Sequence, residues 1–427
     1  MAELEKSISV QPRSTQRFLD PVLAFPSSVV LFIKHVKVEL LWSLSIVLTL
    51  RLFLGIAMSA SWLTAKPFLP LQSVDHASVY GNLPTYSEFP SDATLGVWLK
   101  WDAIHYLNIA KNGYLQLSEA ESAFYPLYPT LTRLFAIPLG GEFLLGGLIL
   151  STLSAVAVFA LLYWLGRYYF GQDSAKWSTL ALASFPTALF FIAPYTESLY
   201  VAITLGCFIA AYRRRWGLAG VLGFLASLTR GPGALTVIAL SWIAFDQLRK
   251  DNPTHIFSWL ISRGFGLTFP VLGSLLYLSW RSMVGFAPLA EIHEQYSGFH
   301  WINPVSGFIR GIQQWWQVHD LSTTLDIGNG ILFLVLTVLM IVRPRWRRPE
   351  WLIYMIANLL LFFSNQSFIA SSLQSTSRYV LTLFPAFLII GDWLSFQKQR
   401  LRFTYFALSG SLLTGLSMLF ALWVFVG

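Results

Sequence analysis

Long apolar runs separated by short polar segments dominate the chain, and their lengths predict membrane-spanning helices. A bilayer core takes about 20 mostly apolar residues per helix. On that rule spans fall near 38–63, 143–165, 177–193, 196–212, 216–229, 233–248, 264–281, 329–342, 351–364, 379–396 and 403–425, about eleven in all, several of them short. The stretch 177–212 would measure about 54 Å as one helix, too long for a single pass. Pro194 in "APYTES" is its natural break, because proline disfavours helix at the residue before it. The pattern predicts an all-α polytopic membrane bundle with one transmembrane domain over 38–427. Segment 1–37 reads as a cytoplasmic lead-in with an interfacial helix rather than a cleavable signal, since Pro26 breaks its apolar stretch. Two long loops, 64–142 and 282–328, interrupt the spans. They are too aromatic for ordinary disorder and are expected to hold surface helices.

Composition supports this pattern. Hydrophobic residues make up 55% of the 427 positions and charged residues only 12%, against roughly 25% charged in soluble domains. The net charge of +8 could suggest nucleic acid, but the placement of the bases argues otherwise. With the N-terminus inside, the segments on the inner side carry Lys6, Arg13, Arg17, Lys34, Lys37, Arg167, Lys176, Arg213, Arg214, Arg215, Arg249, Lys250 and Arg263. The same side adds Arg343, Arg345, Arg347, Arg348, Lys398, Arg400 and Arg402. The outer segments carry Lys66, Lys100, Lys111, Arg133, Arg230, Arg281, Arg310 and Arg378, and Arg51 alone lies within a span. This alternation follows the positive-inside rule, so membrane lipids, and no nucleic acid, are the expected surroundings. Arg51 should face the bundle and pair with an acid or with helix carbonyls. The single Cys207 rules out an intrachain disulfide.

The polar residues that stand against this background share the outer face. They gather in "WDAIHY" (101–106), "ESAFYPLYP" (121–129), "PYTESLY" (194–200), "LTRGPG" (228–233) and "STSRYVLTLFP" (375–385), which suggests one outward pocket. Asp102 can serve as a helix N-cap or as a chemical group, with His105 on the same helical face. Thr196 can cap the helix that follows it, with Glu197 favoured there by the helix dipole or used in the pocket. Arg230 and Arg378 lie outside against the charge bias, beside Gly231, Pro232 and Gly233 and beside Ser375, Thr376 and Ser377. Their forked donors suit a phosphate. A metal held by Asp102, His105 and one of His293, His300 or His319 competes with these readings, but the spacing supplies no second local ligand pair. No metal site and no cofactor are therefore expected. Walker, dinucleotide-binding and nucleophile-elbow motifs are missing, and no inner loop is large enough for a nucleotide-sugar domain. An outer-face reaction would then draw on a lipid-phosphate carrier.

Together "WLKWDAIHYLNIAKNGY", "ESAFYPLYP", "SFPTALFFIAPYTESLYV", "RRRWGLAGVLGFLASLTRGPG" and "SRYVLTLFP" resemble the PIG-V family, whose members add the second mannose in glycosylphosphatidylinositol synthesis. The wider class is the GT-C glycosyltransferases. The resemblance implies a polyprenyl-phosphate-sugar donor, inverting mannosyl transfer and a lipid-linked or glycan acceptor outside the cytoplasm. The membrane would be a bacterial inner membrane, with a periplasmic site, or the endoplasmic reticulum, with a luminal one. The short loops have a bacterial character. Asp102 would be the catalytic base, with Arg230, Arg378, Glu197, His105, Tyr195, Tyr125 and Tyr379 holding donor phosphate and substrate. The alternative is a transporter or flippase of a lipid-linked or anionic substrate, which helices broken at Pro194 and Pro232 would suit.

Overall fold

The first apolar run folds into α1 (Val29–Ala65). Residues 29–37 are therefore helical and continuous with the first span instead of forming a separate surface helix. The rest of the expected lead-in lies outside the residues that this computed structural model describes, which are 29–68, 83, 84, 86, 88–252, 255–367 and 371–427. The first long loop carries α2 (Ser91–Thr94), α3 (Asp102–Asn112) and α4 (Leu127–Ala136). Six helices follow: α5 (Phe143–Phe170), α6 (Gln172–Ala183), α7 (Glu197–Tyr212), α8 (Trp216–Thr229), α9 (Thr236–Asp251) and α10 (Ile256–Met283). The second loop holds α11 (Leu289–Ser297), strand β1 (Phe299–Trp301) and α12 (Pro304–Val318). The chain closes with α13 (Leu321–Val342), α14 (Pro349–Ser364), β2 (Asn365–Ser367), α15 (Thr376–Tyr379), α16 (Phe384–Ser395) and α17 (Gln399–Ala421). β1 and β2 pair antiparallel, Phe299 opposite Ser367, and tie the second loop to the end of α14.

The fold is an all-α membrane bundle with helices in both long loops, and the count of eleven spans is not confirmed. Among the described residues, four helices are long and apolar enough to cross a membrane alone: Val38–Phe68, Phe143–Phe170, Leu321–Val342 and Gln399–Ala421. A fifth arises if Thr376–Thr382 and Phe384–Ser395, bent by 78°, count as one broken span. Several of the eleven expected spans are thus short helices, as α7, α8 and α14 are. The expected span 177–193 is not one helix. α6 stops at Ala183, and 184–196 continue as turns around a short 3-10 segment, with Thr187–Thr196 wholly buried. Irregular backbone is tolerated at such depth where protein surrounds it. The second loop also ends earlier than expected, because Asp320 caps α13 by accepting from the Thr323 amide at 2.6 Å.

Two packing features position the site. α8 and α10 approach through small residues. A Cβ on Gly220 would lie 2.7 Å from the Gly266 carbonyl, and one on Gly273 would lie 2.6 Å from that of Phe224. Close backbone approach of this kind replaces hydrophobic driving force between helices in lipid. On α1, Arg51 faces the bundle as expected. It donates to the Leu148 carbonyl at 3.2 Å and to Thr152 at 2.7 Å, with its guanidinium 4.8 Å from the Trp98 ring.

At the opposite end of the bundle from the site, buried Asp392 on α16 gathers three donors from two elements, the turn Pro344–Trp346 and α6. Arg345 donates Nε at 2.6 Å, Trp346 donates Nε1 at 2.8 Å and Ser174 donates Oγ at 2.9 Å. Asp392→Ala would leave the buried Trp346 indole donor unmatched, while the Ser174 hydroxyl keeps the Phe170 carbonyl and Ser395 within reach. The substitution is expected to cost about 2–3 kcal/mol, read as a fall in thermal midpoint in detergent. Arg345→Ala removes a half-exposed partner and should cost about 1 kcal/mol or less.

Candidate functional site

The site forms where α3, α7, α15 and the turn after α8 meet. Trp101 takes a left-handed backbone, φ +55° and ψ −129°, and α3 starts at Asp102. Trp101 therefore occupies the N-cap position, and the N-cap reading of Asp102 is not met. Its carboxylate turns inward instead, where Oδ2 accepts from the Arg378 guanidinium at 2.7 Å. Arg378 Nε lies 3.3 Å from Glu197 Oε1. The same Glu197 oxygen accepts from Arg230 Nη1, which also donates to Thr196 Oγ1 at 3.2 Å. Thr196 makes no side-chain cap on α7; it serves this network and sits 3.4 Å from the Tyr106 hydroxyl.

Two acids and two guanidiniums thus form one chain, Asp102–Arg378–Glu197–Arg230. Side-chain exposure falls from 26% at Asp102 to 13% at Arg230, 7% at Arg378 and 1% at Glu197. Asp102 is the member that solvent or substrate can reach. Glu197 Oε2 is buried without a hydrogen-bond partner among the described residues, a spare acceptor inside the cluster.

Aromatic rings wall the charges. Arg378 lies 5.3 Å from the ring of Tyr379, 5.4 Å from Tyr195 and 5.5 Å from Phe190. Arg230 lies 4.9 Å from Tyr379, so one ring borders both cations. The Tyr195 hydroxyl donates to the Lys100 carbonyl at 3.1 Å, which fixes the approach to Asp102. The peptide before Arg378 is held from two sides. Thr187 donates to the Ser377 carbonyl at 2.7 Å, and Asp326 accepts from the Ser377 amide at 2.9 Å.

Of the eight residues expected at the site, six converge: Asp102, Glu197, Arg230, Arg378, Tyr195 and Tyr379. His105 and Tyr125 sit at its margin. His105 is half-exposed, 3.3 Å from Glu121 and stacked on Phe124 at 4.8 Å. Tyr125 packs on Tyr277 at 5.0 Å, its hydroxyl beside Gly231 and hence next to Arg230. His300 instead faces Glu294 at 3.5 Å, and His319 packs between Trp315 and Trp316. Among the described residues no group of three or more His, Cys, Asp or Glu could hold a metal ion. Thr196, Thr187, Phe190 and Asp326 were not expected at the site. Thr196 and Thr187 had a signal, as polar residues in apolar stretches that flank the site motifs.

The electrostatics set the state of Asp102. Burial raises its carboxyl, but the charge and hydrogen bond of Arg378, helped by His105 and Arg230, outweigh that and hold it below the ordinary carboxylate range. A group with a depressed pKa stays ionised above its ordinary value, near 3.9, and is protonated only as pH falls further. The kcat/KM of any activity needing the Asp102 carboxylate, which reports the free protein, should therefore show no limb from this group between about pH 7 and pH 4. Arg378→Gln should move that limb upward; a wild-type limb near pH 6 that disappears in Asp102→Asn would contradict the pairing. Charge also separates the two ends of the bundle: Glu197 opens α7, and Arg213, Arg214 and Arg215 follow its far end.

Residues 45–252 match the family described as Mannosyltransferase (PIG-V). Over 157 residues the chain is 31% identical to GPI mannosyltransferase 2 of Cryptococcus neoformans var. neoformans serotype D, covering 34% of this chain and 36% of that protein. It is 25% identical over 257 residues to GPI mannosyltransferase 2 of Schizosaccharomyces pombe, covering 57% and 52% of the two chains. Against GPI alpha-1,6-mannosyltransferase 2 of Cricetulus griseus it is 30% identical over 161 residues, covering 34% and 31%. The matched stretches thus span from about a third to about half of these relatives' lengths. Among solved structures, ArnT from Cupriavidus metallidurans in the apo state is similar with a TM-score of 0.46 and 17% identity, over 73% of this chain and 60% of that one.

Proposed function

We propose that the chain, whose residues 45–252 match the PIG-V mannosyltransferase family, is an integral-membrane GT-C glycosyltransferase. It transfers a hexose, mannose by family, from a polyprenyl-phosphate donor to a hydroxyl of a lipid-linked or glycan acceptor. The observation that carries this reading is the Asp102–Arg378 pair: a reachable carboxylate beside a buried guanidinium, at the lip of a cluster walled by aromatic rings.

The acceptor oxygen attacks C1 of the sugar as the bond from C1 to the phosphate oxygen breaks. The acceptor proton passes to Asp102, and the carrier leaves as polyprenyl phosphate. The leaving group is already a stable anion, so no strong general acid is needed. When the donor phosphate takes Arg378, Asp102 loses its counter-charge and its proton affinity rises. Donor binding thereby readies the base. Arg230 stays anchored by Glu197 and adds positive charge nearby, while Glu197 Oε2 offers an acceptor to a sugar hydroxyl. The basic residues at the far end of the bundle support a cytoplasmic position for that end and an extracytoplasmic or luminal face for the site.

One carboxylate acting as base implies a single displacement at C1. The product is expected to carry the anomeric configuration opposite to that of the donor, measured by NMR of the isolated glycoside. Retained configuration would contradict the mechanism.

A further inference from the structure

The two partners of the central ion pair sit on backbone that needs outside support. Trp101, directly before Asp102, has φ +55°, and Ser375, three residues before Arg378, has φ +67°. Neither is glycine, so the surroundings must hold each conformation. One short stretch, Trp423–Gly427, contacts both. The Trp101 ring meets Trp423 edge-on at 5.7 Å and Phe425 at 5.3 Å. The preceding residue, buried Lys100, places Nζ 4.5 Å from the Trp423 ring. On the other partner, Ser375 Oγ donates to the Gly427 carbonyl at 3.1 Å. Gly427 itself sits so close that a Cβ there would lie 3.2 Å from Arg378 Cβ and 2.5 Å from the Phe190 ring.

The stretch is aimed at the site by its own turn. Trp423 takes φ +65° and ends α17, with its amide donating to the Phe420 carbonyl at 3.1 Å and the Val424 amide to that of Leu419 at 3.0 Å. The following residues then cross to Trp101 and Ser375, and Val426 is buried on the way. Resting on the functional reading above, we propose that Trp423–Gly427 is a positioning clamp that holds Asp102 and Arg378 face to face by bracing Trp101 and Ser375 together. Its residues lie far outside the family-matched stretch, and they act through those two neighbours. A catalytic group displaced by about 1 Å can lose as much as about 10²-fold in rate, so the bracing bears directly on transfer.

The test is hydrogen–deuterium exchange of the full-length protein in detergent, run beside sugar-transfer kinetics. Trp423→Ala is expected to speed exchange in peptides 97–112 and 371–383 together, with α5, α7 and α13 unchanged, and Trp423→Phe to restore both. In kinetics, Trp423→Ala should lower kcat by at least about tenfold while the donor KM changes much less. If Trp423→Ala loosens every helix, Phe425→Ala decides, since it removes one ring from Trp101 and should show the paired exchange pattern more weakly. Exchange confined to 399–427, or a change in only one of the two peptides, overturns the clamp. So does an unchanged kcat in an active enzyme. A wild type that transfers no sugar sinks the functional reading alone, and the exchange arm still decides the clamp.

Discussion

Asp102→Asn is expected to slow sugar transfer by about 10²–10⁴-fold, the usual contribution of a positioned general base, while the protein stays folded. Asparagine keeps the shape, and its carbonyl oxygen can still accept from Arg378, but it cannot take the acceptor's proton. Asp102 is the most exposed of the four charged residues, so an asparagine there should disturb folding little. Arg378 also keeps Glu197 as a counter-ion. The check is a single-turnover rate paired with the thermal midpoint of the same preparation. A normally folded variant with wild-type rate would remove Asp102 from the chemistry.

Glu197→Leu should have the largest effect on stability. Glu197 is buried and stands between the guanidiniums of Arg230 and Arg378. Removing its charge leaves two cations in a low-dielectric site with Asp102 as the remaining acid of the chain. Breaking a buried ion pair from one side costs about 3–5 kcal/mol, a large share of the 5–15 kcal/mol that typically holds a domain together. Low yield and a much lower midpoint in detergent are expected. Glu197→Gln should fall between the two, since it keeps a hydrogen-bond acceptor but no charge. A Glu197→Leu protein as stable as wild type would show that the arginines do not depend on it.

Much of the site was legible because charge is rare in this chain. An acid at Asp102 and arginines at Arg230 and Arg378, each outside the basic-inside pattern, had to be compensated, and the structure pairs them through Glu197. Arg51 was legible for the same reason. What stayed hidden depends on tertiary context. The apolar run through 177–193 reads equally as a span or as buried irregular backbone, because periodicity cannot separate the two. The left-handed residues Trp101 and Ser375 carry no local signal, being neither Gly nor Asn. The roles of Trp423 and Phe425 arise only where the end of α17 meets the first loop. The eleven-span count is not confirmed: α7, α8 and α14 are apolar enough to be read as spans but have 16, 14 and 16 residues, against the roughly 20 a crossing needs.

The most direct test supplies purified protein in proteoliposomes with a polyprenyl-phosphate-linked sugar radiolabelled in the sugar, together with a hydroxyl acceptor. Free polyprenyl phosphate is expected in step with labelled acceptor, mannose preferred over glucose, and both products about 10²–10⁴-fold slower from Asp102→Asn. Movement of the intact labelled donor across the bilayer, with its sugar–phosphate bond unbroken, would contradict sugar transfer.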